Sequence, residues 1–305
     1  MPVSLRRYEL LCKRYDLFTR TLGGVEKGEP RALHRMRVAS RRLRELLPIL
    51  QLDPGVTRKL TRRLRRVTTR LGSVRELDAI IVLLDELHDS GRYHEGGLSR
   101  VSVEVVRERD TARKSLDGKL PKTELRRLAA KLDDISRTLR DSPPPANRRE
   151  HGAWRWAVDA RIARRAERLA EAMREAGAMY LPERLHGVRI AVKKLRYSVE
   201  LAADVAGGKS TADLQTLKHV QDLLGRMHDL QLLIGRVRQI QAATSAEIRA
   251  ERELEAIVET LENDCRRLHA RYVRDRTALS AICGRRVGRS HAPSAARSAP
   301  RRVAS

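Results

Sequence analysis

The segment LHRMRVASRRLREL, residues 33–46, decides the fold because it joins an apolar face to a row of cations. On a helical wheel that advances about 100° per residue, three arginines fall within about 60° of one another, on the side of His34. They are Arg37, Arg41 and Arg44. The leucine and methionine residues of the segment lie on the opposite side. The segment therefore predicts an amphipathic helix with a cationic stripe on its outer face.

The same pattern returns in residues 185–198, LHGVRIAVKKLRYS, with His186, Arg189, Lys193 and Arg196 on the stripe. Six of the fourteen aligned positions are identical and four more are conservative. A second pair of similar blocks follows each copy at nearly the same distance, LRRVTTRLGSVREL (64–77) and LKHVQDLLGRMHDL (217–230). Two blocks in one order at one spacing indicate an internal duplication.

The chain as a whole has the composition and periodicity of an all-α protein. Aromatic residues make up only 3% of it, and leucine, alanine, arginine and glutamate recur at spacings of three and four, with no alternating strand pattern. We predict helices over residues 3–21, 30–51, 56–90, 98–117, 121–141, 150–177, 182–206, 210–241 and 244–282. Gly72 and Gly225 are candidate interruptions of the two long helices that contain them.

A proline-rich stretch, DSPPPANRRE at residues 141–150, divides the chain into two similar halves. Three consecutive prolines favour an extended spacer over a helix. We therefore expect one domain over residues 1–283, made of a first helical repeat (5–140), this linker and a second repeat (151–283). Residues 284–305 are rich in arginine, serine, alanine and proline without an apolar face, which predicts a disordered basic tail.

The charge of the chain points to a polyanionic partner. It has 64 lysines and arginines against 39 aspartates and glutamates, a formal net charge of +25. An arginine-rich solvated surface would explain the total, but not its distribution, because residues 31–70 hold thirteen cations against only Glu45 and Asp53. The longest apolar run, Ala79 to Leu84, is far too short to span a membrane. Three scattered cysteines indicate a reducing, cytoplasmic setting.

The stripes and the helices that follow them supply the candidate anion ligands. Like charges this close on a helix are unfavourable unless an anion neutralises them, and arginine and lysine are the side chains that bind phosphate. Each histidine alone could cap or pack its helix, but the duplication in register with the cations favours anion contact. His228 with Asp229 is expected to be a structural pair. The candidate ligands are His34, Arg37, Arg41, Arg42, Arg44, Arg58, Arg62, Arg65, Arg66, His186, Arg189, Lys193, Lys194, Arg196, Lys218 and His219.

These blocks resemble the signature segments of the CHAD family of α-helical domains named for their histidines. The resemblance spans roughly residues 5 to 280, and Gly187, where the first copy has Arg35, is a departure that leaves the repeats unequal. It implies two four-helix bundles of long helices related by a pseudo-twofold, with basic residues and histidines lining a central groove or pore. It also implies binding of inorganic polyphosphate and an association with polyphosphate granules, where granule proteins would be further partners.

An enzyme and a nucleic-acid-binding protein are the rival interpretations. The chain has no phosphate loop, no His-Glu-x-x-His sequence and no strand with alternating glutamates, and its stripe lacks interleaved carboxylates for Mg²⁺. We therefore expect a protein that is not an enzyme and needs no cofactor. Nonspecific nucleic-acid binding remains the alternative, although the stripe helices contain only Tyr197 as an aromatic platform.

Overall fold

In a computed structural model, the described residues are 3–141, 148–206, 212–243 and 248–291, and they are helical without a strand. The expected all-α fold is confirmed. The helices are α1 (Val3–Arg20), α2 (Leu22–Glu26), α3 (Pro30–Leu46), α4 (Pro54–Arg70), α5 (Gly72–Asp89), α6 (Glu95–Lys114), α7 (Leu116–Lys119), α8 (Lys122–Asp141), α9 (Arg148–Ala176), α10 (Pro182–Ala206), α11 (Ala212–Ala243) and α12 (Ile248–His291), with a 3₁₀ turn at Leu47–Ile49 after α3.

The second half of the chain forms a closed ring of four helices. Helix α9 packs on α10, α10 on α11, α11 on α12, and α12 returns to α9. The first half has the same order of neighbours, with α1 on α3, α3 on α4, α5 on α6, and α8 back on α1. In this order, α4 and α5 of the first half correspond to the single helix α11 of the second half. Likewise, α6 and α8 correspond to the single helix α12. Each half buries the apolar faces of its helices in a leucine-rich core.

The two halves meet through corresponding elements. Helix α3 contacts α10, α5 contacts α11, and α6 contacts α12. Like-with-like contacts are the pattern that a twofold relation between duplicated halves produces, and the rotation itself stays a prediction. This arrangement brings the two cationic helices, α3 and α10, to the boundary between the halves.

Helix α4 ends at Arg70 and α5 begins at Gly72, whereas a single helix over residues 56–90 is predicted from the sequence, with Gly72 as a candidate interruption. The guanidinium of Arg37 donates a hydrogen bond to the carbonyl oxygen of Thr68 at 2.6 Å, in the last turn of α4. A Cβ at position 72 would lie 3.0 Å from this guanidinium, so glycine leaves room for it. In α11 the corresponding chain runs through Gly225 without a break.

Helix α12 is longer than predicted. It continues through Gly284 to His291, so the segment 284–305 does not begin with the expected disorder. The extension is held by Arg285 and Arg286, which donate to the carboxylate of Asp213 at 2.8 and 2.5 Å. Residues 292–305 and the prolines of the predicted linker, within 142–147, lie outside the described residues. Among the described helices, none is both long and apolar enough to cross a membrane.

Candidate functional site: a cationic cluster between the repeats

Helix α3 holds its stripe in place through a fully buried opposite face. Leu33, Met36 and Leu43 have no solvent-exposed surface, so the helix cannot rotate without losing core packing. In α10, Val188, Val192 and Leu195 likewise have no solvent-exposed surface and fix the orientation of that helix. The predicted amphipathic geometry is therefore present in both helices, and their cationic faces are turned toward each other across the boundary.

The structure brings six stripe residues into one cluster, together with one residue each from α5 and α11. Arg41 of α3 is close enough to lower the pKa of both Arg189 and Lys193 of α10. Arg37 also lowers the pKa of Lys193, and Arg75 of α5 lowers that of Arg37. We call this set the central cluster: His34, Arg37, Arg41, Arg75, His186, Arg189, Lys193 and His228.

Each repeat histidine contacts the aligned residue of the second repeated block, Arg75 on α5 in the first repeat and His228 on α11 in the second. In the first repeat, Nε of Arg75 donates to Nδ1 of His34 at 3.0 Å. In the second, Nδ1 of His186 lies 3.3 Å from Nδ1 of His228, with ring centroids 4.7 Å apart. Positions 75 and 228 align in the second repeated block. Both repeats therefore have this contact, but the partner of the histidine is a permanent cation in the first repeat and a titratable imidazole in the second.

Burial and mutual repulsion shift the pKa values of the cluster toward the uncharged forms. Burial, then Arg189 and Arg41, lowers the pKa of Lys193 to about 7. Burial, then Arg41, lowers the pKa of Arg37 to about 10. The pKa of His228 falls to about 4, first through burial and then through Arg189. Burial, then Arg75, lowers the pKa of His34. An empty site is therefore electrostatically strained, and a bound anion would relieve it.

Two carboxylates lie beside the cluster that sequence reasoning did not place there. Glu76 raises the pKa of Arg37 and Arg189 toward their ordinary values, and Asp229 acts in the same way on Arg189 and Lys193. Positions 76 and 229 also align between the repeats, which is the signal that could have found them. They are partial internal counterions. The expectation that His228 and Asp229 form a structural pair missed their place beside the cluster.

The remaining predicted ligands lie outside the central cluster. A separate cleft between α1, α3, α10 and α11 contains Arg42, Arg196 and Lys218. In it, Arg42 and Arg196 share Glu200 as an ion-pair partner. His219 pairs with Asp275 at 3.3 Å. Arg44 lies near both Lys194 and Arg65. Arg66 pairs with Glu124. Arg58 and Arg62 are exposed on α4.

Comparison with solved structures finds the same fold in proteins of low sequence identity. One is the CHAD domain from the plant Ricinus communis, at 21% identity and a TM-score of 0.61, covering 93% of this chain and 92% of that one. Another is PptA from Streptomyces chartreusis, at 17% identity and a TM-score of 0.56, covering 95% and 99%. No curated protein sequence matches the chain. The sequence model of the CHAD domain matches residues 9–238, most of the chain and both cationic helices, and the protein therefore belongs to the CHAD domain family.

Proposed function

We propose that this protein binds inorganic polyphosphate without transforming it, and that the central cluster is the binding site. The observation that carries the proposal is the crowding of six arginines, lysines and histidines from α3 and α10, with Arg75 and His228, beside the carboxylates of Glu76 and Asp229. Proteins seldom bury like charges without neutralising them. A polyanion would supply the missing charge, and the net charge of +25 would steer it to the site.

A linear phosphate polymer fits this cluster better than an isolated anion does. Successive stripe residues rise about 4.5 to 6 Å along each helix, so their cations can engage successive phosphates. The arginine fork can hold two oxygens of one phosphate, while Lys193 offers a point charge. The cluster also extends toward Arg44 and Arg65, which would lengthen the track along α3 and α4.

The carboxylates of Glu76 and Asp229 face arginines, and they come one from each repeat. Their place as counterions of the arginines supports a binding protein rather than an enzyme. We propose further that the protein acts in the cytoplasm on polyphosphate granules, with granule proteins as possible neighbours.

Nucleic acid is the competing polyanion, and the burial of Tyr197 and the position of Trp156 argue against it. Tyr197, the aromatic residue of the stripe helices, is 8% exposed and lies under the guanidinium of Arg196. Trp156, the most exposed aromatic side chain among the described residues, lies on α9 rather than in the cluster. Single-strand binders instead present aromatic platforms for successive bases.

The test is a competition between long-chain polyphosphate and duplex DNA at equal phosphate concentration and salt. We expect polyphosphate to displace DNA, with an affinity that falls steeply as salt rises because bound counterions are released. Preference for DNA, or a salt-independent complex, would refute the proposal. In parallel, incubation with polyphosphate and Mg²⁺ should release no orthophosphate above the blank; turnover that persists through repurification would refute the non-catalytic part.

A further inference from the structure

The two repeats differ sharply at the place just beyond their histidines. In the first repeat this place is filled. Gly28 has a φ of 71°, and the guanidinium of Arg113 donates a hydrogen bond to its carbonyl oxygen. A Cβ at position 28 would lie 2.8 Å from that guanidinium. Asp78, half-buried nearby, is faced by Arg109 and Arg113, which lower its pKa against the larger effect of burial.

The second repeat has a cavity where the first has this arginine cluster. Tyr180 stands at the position of Gly28, and Gln231 at that of Asp78. The cavity has a volume of about 230 Å³ and opens beside His186 and Arg189. Its walls are Tyr180, Pro182, Leu185, Leu224, Met227, His228 and Gln231, with Glu183 at the edge.

The size and lining of this cavity suit one flat ring system. Sites for drug-sized ligands occupy about 300–1,000 Å³, so this cavity would hold a fragment of a larger ligand. Tyr180 and His228 offer ring faces, and Met227 offers a polarizable sulfur, which favours aromatic partners. Tyr180 is fixed by a hydrogen bond from Nε2 of Gln231 to its hydroxyl and by packing against His269. The carboxamide of Gln231 is the polar group that could form hydrogen bonds with the edge of a bound ring.

The mouth of the cavity carries the groups that would hold phosphates. Nε of Arg189 is buried and has no hydrogen-bond partner among the described residues, so it is a donor in need of an acceptor. Lys193 follows one turn along α10 and is within electrostatic range of Arg189. Glu183, exposed in the first turn of α10, is an acceptor for hydroxyl groups.

We propose that this cavity binds the base of a nucleoside polyphosphate whose phosphates lie on His186, Arg189 and Lys193. The inference rests on the proposed function, because it uses the same cations for phosphate. The base would stack against Tyr180, and the ribose hydroxyls would lie toward Glu183. Nucleotide and polyphosphate therefore compete for the second repeat, whereas the first repeat, closed by Arg113, binds phosphate alone.

Two ligand pairs isolate the contribution of the base. AMP and ribose 5-phosphate differ only in the base, and ATP and tripolyphosphate compare a triphosphate with and without a nucleoside. At equal ionic strength we expect the base to raise affinity roughly ten- to hundredfold, the range of one base stacked on an aromatic side chain. Unlabelled ATP should also displace polyphosphate more effectively than tripolyphosphate does.

Variants on the cavity wall show whether that gain arises there. Tyr180→Ala should remove the advantage of AMP over ribose 5-phosphate, and Tyr180→Phe should retain most of it. Glu183→Gln changes an exposed side chain, so folding is not at issue; it should weaken ATP and slightly strengthen tripolyphosphate. Trp156→Ala removes an exposed aromatic ring elsewhere and should leave all four ligands unchanged.

The outcomes separate this inference from the proposed function. If AMP and ribose 5-phosphate bind equally, or if Trp156→Ala rather than Tyr180→Ala removes the advantage, the cavity is not a base site, although polyphosphate binding would stand. If neither polyphosphate nor the nucleotides bind, the proposed function fails and the base site fails with it.

Discussion

The central cluster and the cleft that contains Arg42, Arg196 and Lys218 have the same residue types but use them in opposite ways. The cleft has a volume of about 830 Å³ between α1, α3, α10 and α11. Three of its arginines have carboxylate partners: Arg14 donates to Asp204 at 2.7 Å, and Arg42 and Arg196 share Glu200. In the central cluster, eight cations and imidazoles share Glu76 and Asp229.

Because of this difference, we assign the proposed anion site to the region of unmatched charge rather than to the region with more space. Arg14 is only 6% exposed and holds α1 against Asp204 of α10, so its charge is used inside the fold. Lys193 faces Arg37, Arg41 and Arg189 as well as Asp229, so its charge is left for a ligand.

The largest expected effect follows from reversing the charges of the central cluster. Substituting Arg37, Arg41, Arg189 and Lys193 by glutamate should weaken polyphosphate binding by roughly a hundredfold or more. The slope of log affinity against log salt should become shallower by the contribution of about four phosphate contacts. Filter binding or calorimetry over a salt series measures both quantities.

The matched control reverses four exposed arginines on α8 and α12: Arg127, Arg252, Arg271 and Arg274. It changes the net charge by the same eight units and should lower affinity far less. Equal losses in the two variants would mean that binding depends on total charge alone. Circular dichroism should show the same helical content in both, because each set lies outside the core.

The second effect is a pH dependence carried by Lys193. With a pKa of about 7 in the empty site, its amine is mostly neutral at pH 8 and must take up a proton when phosphate binds. Affinity should therefore fall as pH rises above 7, by up to about tenfold per pH unit. Lys193→Arg should flatten this dependence, since arginine stays charged. Calorimetry in buffers of different ionisation enthalpy counts the protons, and no proton uptake at pH 8 would contradict the assignment.

A smaller effect concerns the stability of the ligand-free protein. The pKa of Lys193 is lower in the folded chain than its ordinary value of 10.5, so the unfolded chain binds more protons between pH 7 and 10.5. Stability should rise with pH in that window, and Lys193→Met should raise Tm by a few degrees at pH 7 while weakening polyphosphate binding. A Tm that falls in the variant would mean that the lysine stabilises the empty fold.

The smallest effect is expected in the cleft. Arg42→Gln combined with Arg196→Gln should change polyphosphate affinity less than about threefold, because both arginines are already engaged by Glu200 and lie outside the central cluster. The same measurement on Arg41→Gln combined with Arg189→Gln is the comparison. A larger loss from the cleft variant would reverse the roles assigned to the two regions.

The sequence predicted the part of this site that depends on helical periodicity. The duplicated stripes of α3 and α10 follow from spacing, and Gly72 was recognised as a possible break. The contact of Arg75 with His34 depends on how α5 packs against α3, which no local pattern encodes. The helical wheel predicts the correct face of α10 for Arg196. However, hydrogen bonds to Gln221 and Glu200 hold its side chain away from the central cluster.

The end of α12 shows the same limit. Its composition beyond Gly284 predicts disorder when it is read alone. The ion pairs of Arg285 and Arg286 with Asp213 of α11 stabilise the helix from outside its own sequence, and Val287 packs against the core. Tertiary contacts of this kind extend an element past the point where local propensity would end it.

The most direct test of the central claim is a crystal structure of the protein with a short polyphosphate chain. We predict one chain that crosses the boundary between the repeats, with phosphates in hydrogen-bond contact with Arg37 and Arg41 of α3 and with Arg189 and Lys193 of α10. A chain bound in the cleft of Arg14 and Asp204, or one confined to the outer face of α4, would contradict a single site shared by the two repeats.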